Sequence, residues 1–436
     1  TTEIYTLSLH DALPICGGEK MRLEFGFGTG TQSVEVCDDR LAGILHANEP
    51  PPGLTGEDAV RAALDAPIGA PPIEQVVRPN EKIAIVTSDI TRPCPTWKIL
   101  PPLLDRLYAA DIKREDITLI FALGCHRRHT PEEQRHLAGE RGWKELRCVD
   151  SDPDDCVHLG TTDAGTSVDI FRPVAEADRV ICLANIEYHY FAGYSGGAKS
   201  IMPGVSTREA IQCNHRMMIC PEAHAGKLDG NPIREDIEQA GRILGIDYIV
   251  NVILDEHKNI IRAVAGDAVK AHRAGCAFLD ALYQKPISER ADIVLVSQGG
   301  APKDLNLYQT QKALDNAKHA VRDGGVIIVI GSCREGLGED VFEQWIQEAD
   351  NPSDLTERVK KHFQLGGHKA AAIAMVLEHA DIYLVSEMPD ELVRKCFLTP
   401  FSSVQAALDA AYKKLGPTAS VLAMPYGGST LPVVQP

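Results

Sequence analysis

The sequence predicts an α/β protein of two domains, each built on a largely parallel sheet, with an active-site cleft between the domains. A chain of 436 residues exceeds what one hydrophobic core usually supports. Short runs rich in Val, Ile and Leu alternate with amphipathic stretches, and this order is typical of buried parallel strands linked by helices. Glycines cluster just past the ends of several runs, where open α/β sheets bind their ligands.

The strands and helices follow from these patterns in chain order. The predicted strands are Lys82 to Val86, Ile117 to Leu123, Arg179 to Ala184, Tyr248 to Leu254, Ile293 to Val296, Val326 to Ile330, Ile382 to Val385 and Val421 to Met424. The predicted helices are Trp97 to Ala110, Pro232 to Leu244, Leu305 to Val321 and Ser403 to Leu415. Asn231 and Pro232 have the residue types that favour the cap and first position of a helix.

A long helical pattern from Ala268 to Gln284 is the predicted connector between the domains. We therefore expect an N-terminal cofactor-binding domain of residues 21–270 plus 417–436, and a C-terminal domain of residues 271–416. Residues 1–20 lead into no periodic element, so we expect them to be a non-native extension and Met21 to be the natural start.

Composition narrows the class of partners. The formal charge of −17 repels a phosphate backbone, so we expect no nucleic-acid partner. No apolar run approaches the length of a membrane span, and no secretory signal is present, so we expect a cytoplasmic protein without a membrane partner. The twelve cysteines form no C-x-x-C pair, which favours reduced thiols over disulfides or a thiolate zinc site.

The segment from His189 to Ser200 concentrates reactive side chains after a predicted strand. It carries His189, Ser195, Gly196, Gly197 and Lys199, hence an imidazole, a hydroxyl, flexible glycines and an amine. The spacing differs from G-x-x-x-x-G-K-[ST], because the glycines are one residue too close and Ala198 precedes the lysine. A nucleotide P-loop is therefore disfavoured.

His215 is predicted to lie on the helix that follows this loop. Ser206 and Glu209 have capping-box spacing, which places a helix from Thr207 to about Met218. A helical imidazole is geometrically fixed and can ligate nickel or zinc, with Asn214 beside it to orient neighbours. A lone helical histidine is more often a packed core residue, but its position sixteen residues after Lys199 favours the metal.

Two further strand ends carry candidate groups. Asp89 and Arg92 follow the strand Lys82 to Val86, and Arg92 suits bidentate capture of a carboxylate or phosphate. The alternative, that Asp89 caps the next helix and pairs with Arg92, stays open. His126 follows the next strand and is expected to face the cleft, whereas His129 lies against the helix start at Thr130 and is expected to be structural. His126 and His189 suit paired acid and base roles near neutral pH.

In the second half, Tyr308, Gln309 and Lys312 fall on one predicted helix face. Such a patch can bind a substrate carboxylate, although a solvated helix face is the commoner meaning of this pattern. His368, at the junction Gly366 to Lys369, is a weaker candidate of the same kind.

Five segments in one order resemble the nickel-dependent lactate racemase family, and the similarity extends over nearly everything after Met21. They are Ser88 to Pro93, Gly124 to Arg127, His189 to Gly204, Asn214-His215 and Leu307 to Lys312. The resemblance implies a cofactor, the nickel-pincer nucleotide (nickel pyridinium-3,5-bisthiocarboxylic acid mononucleotide), covalently tethered through Lys199 with His215 as the protein ligand to nickel.

The resemblance also implies the site residues. The residues that match the catalytic acid/base pair are His126 and His189. The cofactor positions are matched by Asp89, Arg92, Ser195, Gly196 and Gly197. The substrate positions are matched by Arg92, Tyr308, Gln309 and Lys312. In the family mechanism one histidine removes the hydroxyl proton while hydride leaves the neighbouring carbon for the cofactor, and return to the opposite face of the 2-keto acid inverts the centre.

These implications give the expected function: a racemase or epimerase that acts on the 2-carbon of a small 2-hydroxy acid and depends on cofactor-synthesis enzymes. The acid itself stays open among lactate, malate, longer acids and sugar acids, because Trp345 cannot be placed in a substrate pocket from sequence. Two alternatives also stay open: a zinc-dependent hydrolase with His126, His189 and His215 as ligands, and a non-catalytic phosphate- or nucleotide-binding protein.

Overall fold

The computed structural model describes residues 18–255 and 257–435. The chain divides into two compact units. Unit 1 comprises residues 1–47 and 283–436, and unit 2 comprises residues 48–282. The predicted extension, residues 1–20, lies outside the described residues apart from its last three.

The described part of unit 1 opens with three strands, β1 Lys20–Phe27, β2 Gly30–Cys37 and β3 Leu41–Ile44. β1 and β2 form an antiparallel hairpin. Along the hairpin, buried and more exposed residues alternate. The buried side chains on one face are Leu23, Phe25, Val34 and Val36, as expected for a two-stranded ribbon that covers a core.

Unit 2 follows as one continuous segment. Its elements are α1 Gly56–Asp65, α2 Ile73–Val76, β4 Ile83–Ser88, α3 Thr96–Ala109, β5 Ile117–Ala122, α4 Pro131–Glu145, β6 Arg147–Asp150, β7 Cys156–Thr161, β8 Ser167–Phe171, α5 Arg172–Ala175, β9 Arg179–Asn185, β10 Tyr188–His189, β11 Gly193–Tyr194, α6 Arg208–His215, α7 Pro232–Leu244, β12 Tyr248–Leu254, β13 Ile260–Gly266 and α8 Lys270–Tyr283.

The central sheet of unit 2 has the order β13-β12-β9-β4-β5-β6. All neighbouring pairs are parallel except β12 with β13. Its central strands are apolar on both faces, and one face packs on α1 and α3 through residues such as Ile85, Leu103 and Leu119. Parallel pairing places the carboxyl ends of β9, β4 and β5 side by side at one edge.

The rest of unit 1 is built in the same way. Its elements are β14 Gln284–Ile287, β15 Ala291–Ser297, α9 Leu307–Ala317, β16 Val321–Ile330, α10 Asp340–Glu348, α11 Pro352–Lys361, α12 Gly367–Leu377, β17 Asp381–Val385, α13 Asp390–Lys395, β18 Thr399–Phe401, α14 Val404–Leu415, β19 Val421–Met424 and β20 Leu431–Val434. The sheet order is β18-β17-β16-β15-β19-β3, with every pair parallel.

The α/β class with largely parallel sheets is confirmed, and every predicted strand and helix is present. The domain bounds differ from the expected ones at both ends. β1 to β3 and residues 417–436 belong to unit 1, because β3 and β19 pair in its sheet. Residues 271–282 of α8 belong to unit 2. The periodicity of a strand does not show which sheet it joins, so sequence placed these segments wrongly.

Among the described residues ten cysteines are free, as expected, whereas Cys37 is disulfide-bonded and departs from that expectation. Among the described residues, no helix has the length and apolar character needed to span a bilayer.

Candidate active site

The candidate site of unit 2 is built on three adjacent strand ends. β4 leads into Asp89 and Arg92, β5 leads into His126, and β9 leads through Asn185 to His189. The order β9-β4-β5 in the sheet brings these three loops to the same edge. Lys199, on a 3-10 helix at Gly197–Ser200, and His215, the last residue of α6, follow in the chain.

Asp89 and His126 form a close pair at this edge. His126 Nδ1 lies 2.6 Å from Asp89 Oδ2, and the hydroxyl of Thr91 donates to Asp89 Oδ1 at 2.9 Å. Burial alone would raise the pKa of Asp89, but the hydrogen bond and charge of His126, with Arg92 and Thr91, hold it below the ordinary value. A carboxylate at Nδ1 keeps the proton on that nitrogen, so Nε2 of neutral His126 carries the lone pair of a base.

The structure contradicts one of the alternatives that the sequence left open for Asp89. Asp89 does not cap α3, whose N-cap is Pro95 without a side-chain cap. It orients His126, and Arg92 contributes charge from the same loop.

His129 is structural, as predicted. Its Nε2 accepts from the backbone N–H of Ile90 at 3.0 Å, and its Nδ1 lies 2.7 Å from Asp150 Oδ1. Thr130 and Glu133 form the predicted capping box at the start of α4. His129 thus ties the β4 and β5 loops together and fixes the backbone beside His126.

His189 and His215 face the same aromatic side chain. The Phe191 ring lies edge-on to both, with ring centroids 4.5 Å from His189 and 4.9 Å from His215. Burial lowers the pKa of His189 well below its ordinary value, and the positive charge of Arg92 and the protonated forms of Lys199 and His215 lower it further. Neutral imidazole is therefore the resting form of His189.

The tautomer of His189 differs from that of His126. The backbone N–H of Ala192 donates to His189 Nδ1 at 3.3 Å, which places the proton of neutral His189 on Nε2. This contact is at the long end of the hydrogen-bond range, so its release costs little. Two histidines with opposite tautomers flank the Arg92 loop.

His215 is oriented by its chain neighbour. Its Nδ1 lies 2.8 Å from Asn214 Oδ1, and both side chains are buried. α6 begins at the cap residue Thr207 and ends at His215, with a 3-10 turn over Arg216–Ile219, so the predicted helix is confirmed but shorter. The Nδ1 bond turns the Nε2 lone pair away from the peptide, the arrangement of most histidine metal ligands.

Lys199 is partly buried and lies near the guanidinium groups of Arg92 and Arg234. Burial lowers its pKa well below the ordinary value, and the charges of Arg92 and Arg234 lower it further, against a smaller opposite effect of Glu187. A lysine in this setting loses its proton more readily than a surface lysine, which favours its reaction as a nucleophile.

Arg234 is a residue that sequence reasoning missed. It lies in the first turn of α7 and is fully buried. Its Nε donates to the carbonyl of Ala192 at 3.1 Å, and Nη2 donates to the carbonyl of Tyr194. Nη1 has no hydrogen-bond partner among the described residues. Arginine within a predicted amphipathic helix is usually exposed, so its helical position gave no signal of this role.

Ser195, Gly196 and Gly197 serve mainly to shape the loop. The Ser195 hydroxyl accepts from Glu187 N at 2.9 Å and donates to Asn185 O at 2.7 Å. A Cβ at Gly197 would lie 2.9 Å from the buried ring of His272, and at Gly196 it would lie 2.9 Å from Asn251 Oδ1. Both glycines also have positive φ, so a side chain at either is strained.

The amides of this loop are largely occupied. Ser195 N donates to Glu187 O, Gly197 N to Asn251 Oδ1 at 2.8 Å, and Lys199 N to Gly196 O. A phosphate cradle needs such N–H groups directed at the ligand. The geometry therefore gives no support to the phosphate-binding alternative at these three amides.

Tyr308, Gln309 and Lys312 lie in unit 1, in the first turns of α9, which is capped by Asn306. Lys369, which is buried, donates to the carbonyl of Tyr308 at 2.7 Å and lies 3.9 Å from the centre of its ring. Lys312 is exposed. The structure thus places Tyr308, Gln309 and Lys312 on one helix. Lys369, which contacts Tyr308, is another residue that sequence reasoning did not single out.

Trp345 and His368 are buried in unit 1. Trp345 Nε1 donates to Gln364 Oε1 at 3.1 Å, and the Arg358 guanidinium lies 4.5 Å from a ring centre of Trp345. Trp345 is a core residue at the α10–α12 contact and gives no information about the substrate.

Among residues 18–255 and 257–435, no group of three or more His, Cys, Asp or Glu side chains is arranged to hold a metal ion. A zinc hydrolase needs three protein ligands and a water, so the geometry does not support that alternative. A metal brought by an organic ligand with its own donor atoms needs fewer.

Two family models match the chain in succession. Residues 27–226 match the lactate racemase N-terminal domain, and residues 287–432 match the lactate racemase C-terminal domain. The lactate racemase of Thermoanaerobacterium thermosaccharolyticum is 31% identical over 421 residues, which cover 94% of this chain and 98% of that protein. The lactate racemase of Lactiplantibacillus plantarum is 32% identical over 419 residues, covering 93% and 98%.

Solved structures lead to the same conclusion. The lactate racemase apoprotein from T. thermosaccharolyticum aligns with a TM-score of 0.86 at 31% identity, covering 95% of this chain and all of that one. A crystal structure of a Thermotoga maritima protein aligns with a TM-score of 0.62 at 20% identity, which shows the fold alone. With both domain models matched in order and full-length relatives above 30% identity, the chain belongs to the lactate racemase family.

Proposed function

We propose that the chain is a racemase that inverts the 2-carbon of a small 2-hydroxy acid with a nickel-pincer nucleotide tethered to Lys199. One observation carries the proposal: His126 and His189 follow strands that end at one sheet edge, and Lys199 and the oriented His215 lie on the loop and helix that come next in the chain. The family members named above are lactate racemases, so lactate is the first acid to test.

The chain's own residues fit such a cofactor. The lowered pKa of Lys199 favours the uncharged amine that amide formation with a carboxyl-derived group requires. His215 has a borderline-soft nitrogen donor and a fixed ring, which suit nickel. Arg92 and Arg234 add positive charge around Lys199, which favours a phosphate-bearing ligand. When bound, the cofactor supplies the acceptor and donor of hydride at the substrate 2-carbon.

The protein's part in the reaction is proton transfer and positioning. His126 takes the hydroxyl proton of one enantiomer at Nε2, and Asp89 stabilises the resulting imidazolium. His189 takes the hydroxyl proton of the other enantiomer at Nε2. In the resting form Nε2 already carries a proton, so that proton must first move to Nδ1, which breaks the hydrogen bond from Ala192 N. Each histidine takes the hydroxyl proton when its enantiomer is consumed and, in its protonated form, gives a proton back to the keto oxygen when that enantiomer is formed. Proton exchange with solvent then resets the pair, which therefore operates in both directions.

Substrate binding is assigned by the family resemblance to Arg92, Tyr308, Gln309 and Lys312. Arg92 offers a planar fork suited to a carboxylate. Lys312 adds a flexible point charge, and Tyr308 adds a hydroxyl donor. Each of these groups is of a kind that binds a carboxylate, and none of them specifies the side chain of the acid.

The test is production of the chain together with the pincer-synthesis enzymes, followed by intact-mass measurement and chiral chromatography. We expect a covalent mass addition, stoichiometric nickel, and interconversion of the enantiomers of lactate or of another 2-hydroxy acid in a panel that includes malate and a sugar acid. Lys199→Ala should lose the mass addition and the activity. An unmodified, inactive wild-type chain from cells that demonstrably make the cofactor would contradict the proposal.

A further inference from the structure

His215 is the first member of a buried chain of polar groups. His215 Nδ1 lies 2.8 Å from Asn214 Oδ1, and Asn214 Nδ2 donates to Asp236 Oδ2 at 2.7 Å. Asn214 is 0% exposed and Asp236 is 3% exposed. These hydrogen bonds connect the end of α6 to the first turns of α7.

The turn between β7 and β8 supplies the other hydrogen-bond partners of Asp236. Thr166 Oγ1 donates to Asp236 Oδ2 at 2.8 Å, and Thr162 Oγ1 donates to Asp236 Oδ1. Thr162 N donates to Thr166 O at 2.9 Å, and Thr166 N donates to Thr162 Oγ1 at 3.1 Å. The carboxylate is thus satisfied by three donors, which makes its burial tolerable.

The direction of the bonds follows from the acceptors around Asn214. A backbone carbonyl only accepts, so the Asn214 amide must present its NH₂ to the Ile233 carbonyl and to Asp236 Oδ2, and its oxygen to His215. An amide oxygen also only accepts, so His215 must carry its proton on Nδ1. The remaining lone pair is then on Nε2, and polarisation along the chain increases its basicity.

We propose that Asp236 and Asn214 are positioning residues for the nickel ligand: they fix the ring and the tautomer of His215 so that Nε2 is the donor to the metal. This inference rests on the proposed function for the identity of the metal. The tautomer itself does not depend on that function. Outer partners of this kind typically change metal affinity 10- to 100-fold when removed.

The role differs from plain structural support. If Asn214 only held α6 against α7, its bond to Asp236 and its contact with the Ile233 carbonyl at 3.3 Å would suffice, and either tautomer of His215 would serve. The positioning role predicts one tautomer, before any metal binds.

The first experiment is nitrogen-detected NMR of the full-length apoprotein with ¹⁵N-labelled histidine at pH 8, with His215 assigned through His215→Gln. We expect His215 of the wild type to show a protonated Nδ1 and an unprotonated Nε2. Asn214→Ala and Asp236→Asn should give a mixture of tautomers. His129, held by Asp150 and Ile90, is an internal reference that should stay unchanged.

A matched control is Gln239→Ala. Gln239 also joins α7 to the β7–β8 turn, because its side chain accepts from Asp163 N at 3.0 Å, whereas the side chains that donate to Asp236 are those of Thr162, Thr166 and Asn214. This variant should keep the wild-type tautomer. A wild-type signal with the proton on Nε2, or an unchanged tautomer in folded Asn214→Ala, would overturn the inference. If both variants fail to fold, the wild-type spectrum still decides.

The second experiment measures nickel loss from the cofactor-loaded chain during dialysis against a chelator. Asp236→Asn should lose nickel roughly 10- to 100-fold faster than wild type and Gln239→Ala, with the covalent mass addition on Lys199 retained. Equal rates would overturn the positioning role. A wild type without nickel or mass addition would contradict the proposed function instead, and the NMR result would be unaffected.

Discussion

His126 Nδ1 approaches Asp89 Oδ2 to 2.6 Å, so the base proposed for one enantiomer is held by a buried carboxylate. Asp89→Asn should destabilise the chain by about 1–3 kcal/mol at neutral pH, because a buried charged hydrogen bond is lost. The folded pKa of Asp89 lies below the ordinary value, so its contribution is complete above about pH 4 and is lost as the pH falls through the folded pKa.

Urea unfolding at a series of pH values measures this prediction. The difference in free energy of unfolding between wild type and Asp89→Asn should be largest near neutral pH and should shrink in acid. A difference that grows as the pH falls would be inconsistent with an ionised Asp89.

His126→Gln and His189→Gln should each slow racemisation about 10²- to 10⁴-fold, the usual contribution of a general acid or base. The equilibrium constant between enantiomers is one, so kcat/KM must fall equally in the two directions for either variant. Chiral chromatography from each pure enantiomer measures both rates. His158→Gln is the matched control, because His158 is an exposed histidine of unit 2 bonded to Asp169; loss of activity in this variant would indicate a general effect of histidine replacement.

Lys199 should react as a neutral amine at a pH where surface lysines are protonated. The reason is burial beside Arg92 and Arg234, which lowers its pKa. Competitive acetylation of the apoprotein over a pH series, read by peptide mass spectrometry, compares Lys199 with the exposed Lys413 in the same digest. Identical pH profiles for the two lysines would refute the prediction.

Arg234→Met should destabilise unit 2 by about 2–5 kcal/mol, because it leaves the buried carbonyls of Ala192 and Tyr194 without their donors. Hydrogen exchange should increase in residues 189–200, the segment that these carbonyls belong to. Arg242→Met, a change near the C-terminal end of the same helix, is the control. Equal protection of residues 189–200 in both variants would show that Arg234 does not hold the loop.

Lys312→Met should raise KM for the 2-hydroxy acid about 10- to 100-fold with a smaller change in kcat, as expected when a carboxylate contact contributes equally to ground and transition states. Lys318→Met, at the C-terminal cap of α9, removes a charge from the same helix and should leave KM unchanged. Steady-state kinetics on both variants separates a specific contact from a general charge effect.

The sequence predicted those features that depend on local pattern. Alternating apolar runs located β4, β5 and β9, and the cap at Asn231 located α7 to the residue. The parallel sheet then brought His126 and His189 to one edge, as expected for residues that follow neighbouring strands.

Features that depend on tertiary contact could not be predicted in this way. Arg234 and Lys369 are charged residues on amphipathic helices, and only packing shows that both are buried. Asp236 was not singled out because its partners, Thr162 and Thr166, lie about 70 residues earlier in the chain. β3 and β19 were assigned to the wrong domain because no local signal specifies which sheet a strand joins.

The pairing of β3 with β19 also determines which unit can be completed first during synthesis on the ribosome. β3 is an edge strand whose partner in the sheet is β19, and nearly the whole chain separates the two in synthesis. Unit 2, whose first residue Asn48 bonds through its N–H to the carbonyl of its last residue, Leu282, is complete much earlier. The proposed Lys199 attachment point can therefore be folded while the sheet of unit 1 still awaits its last strands.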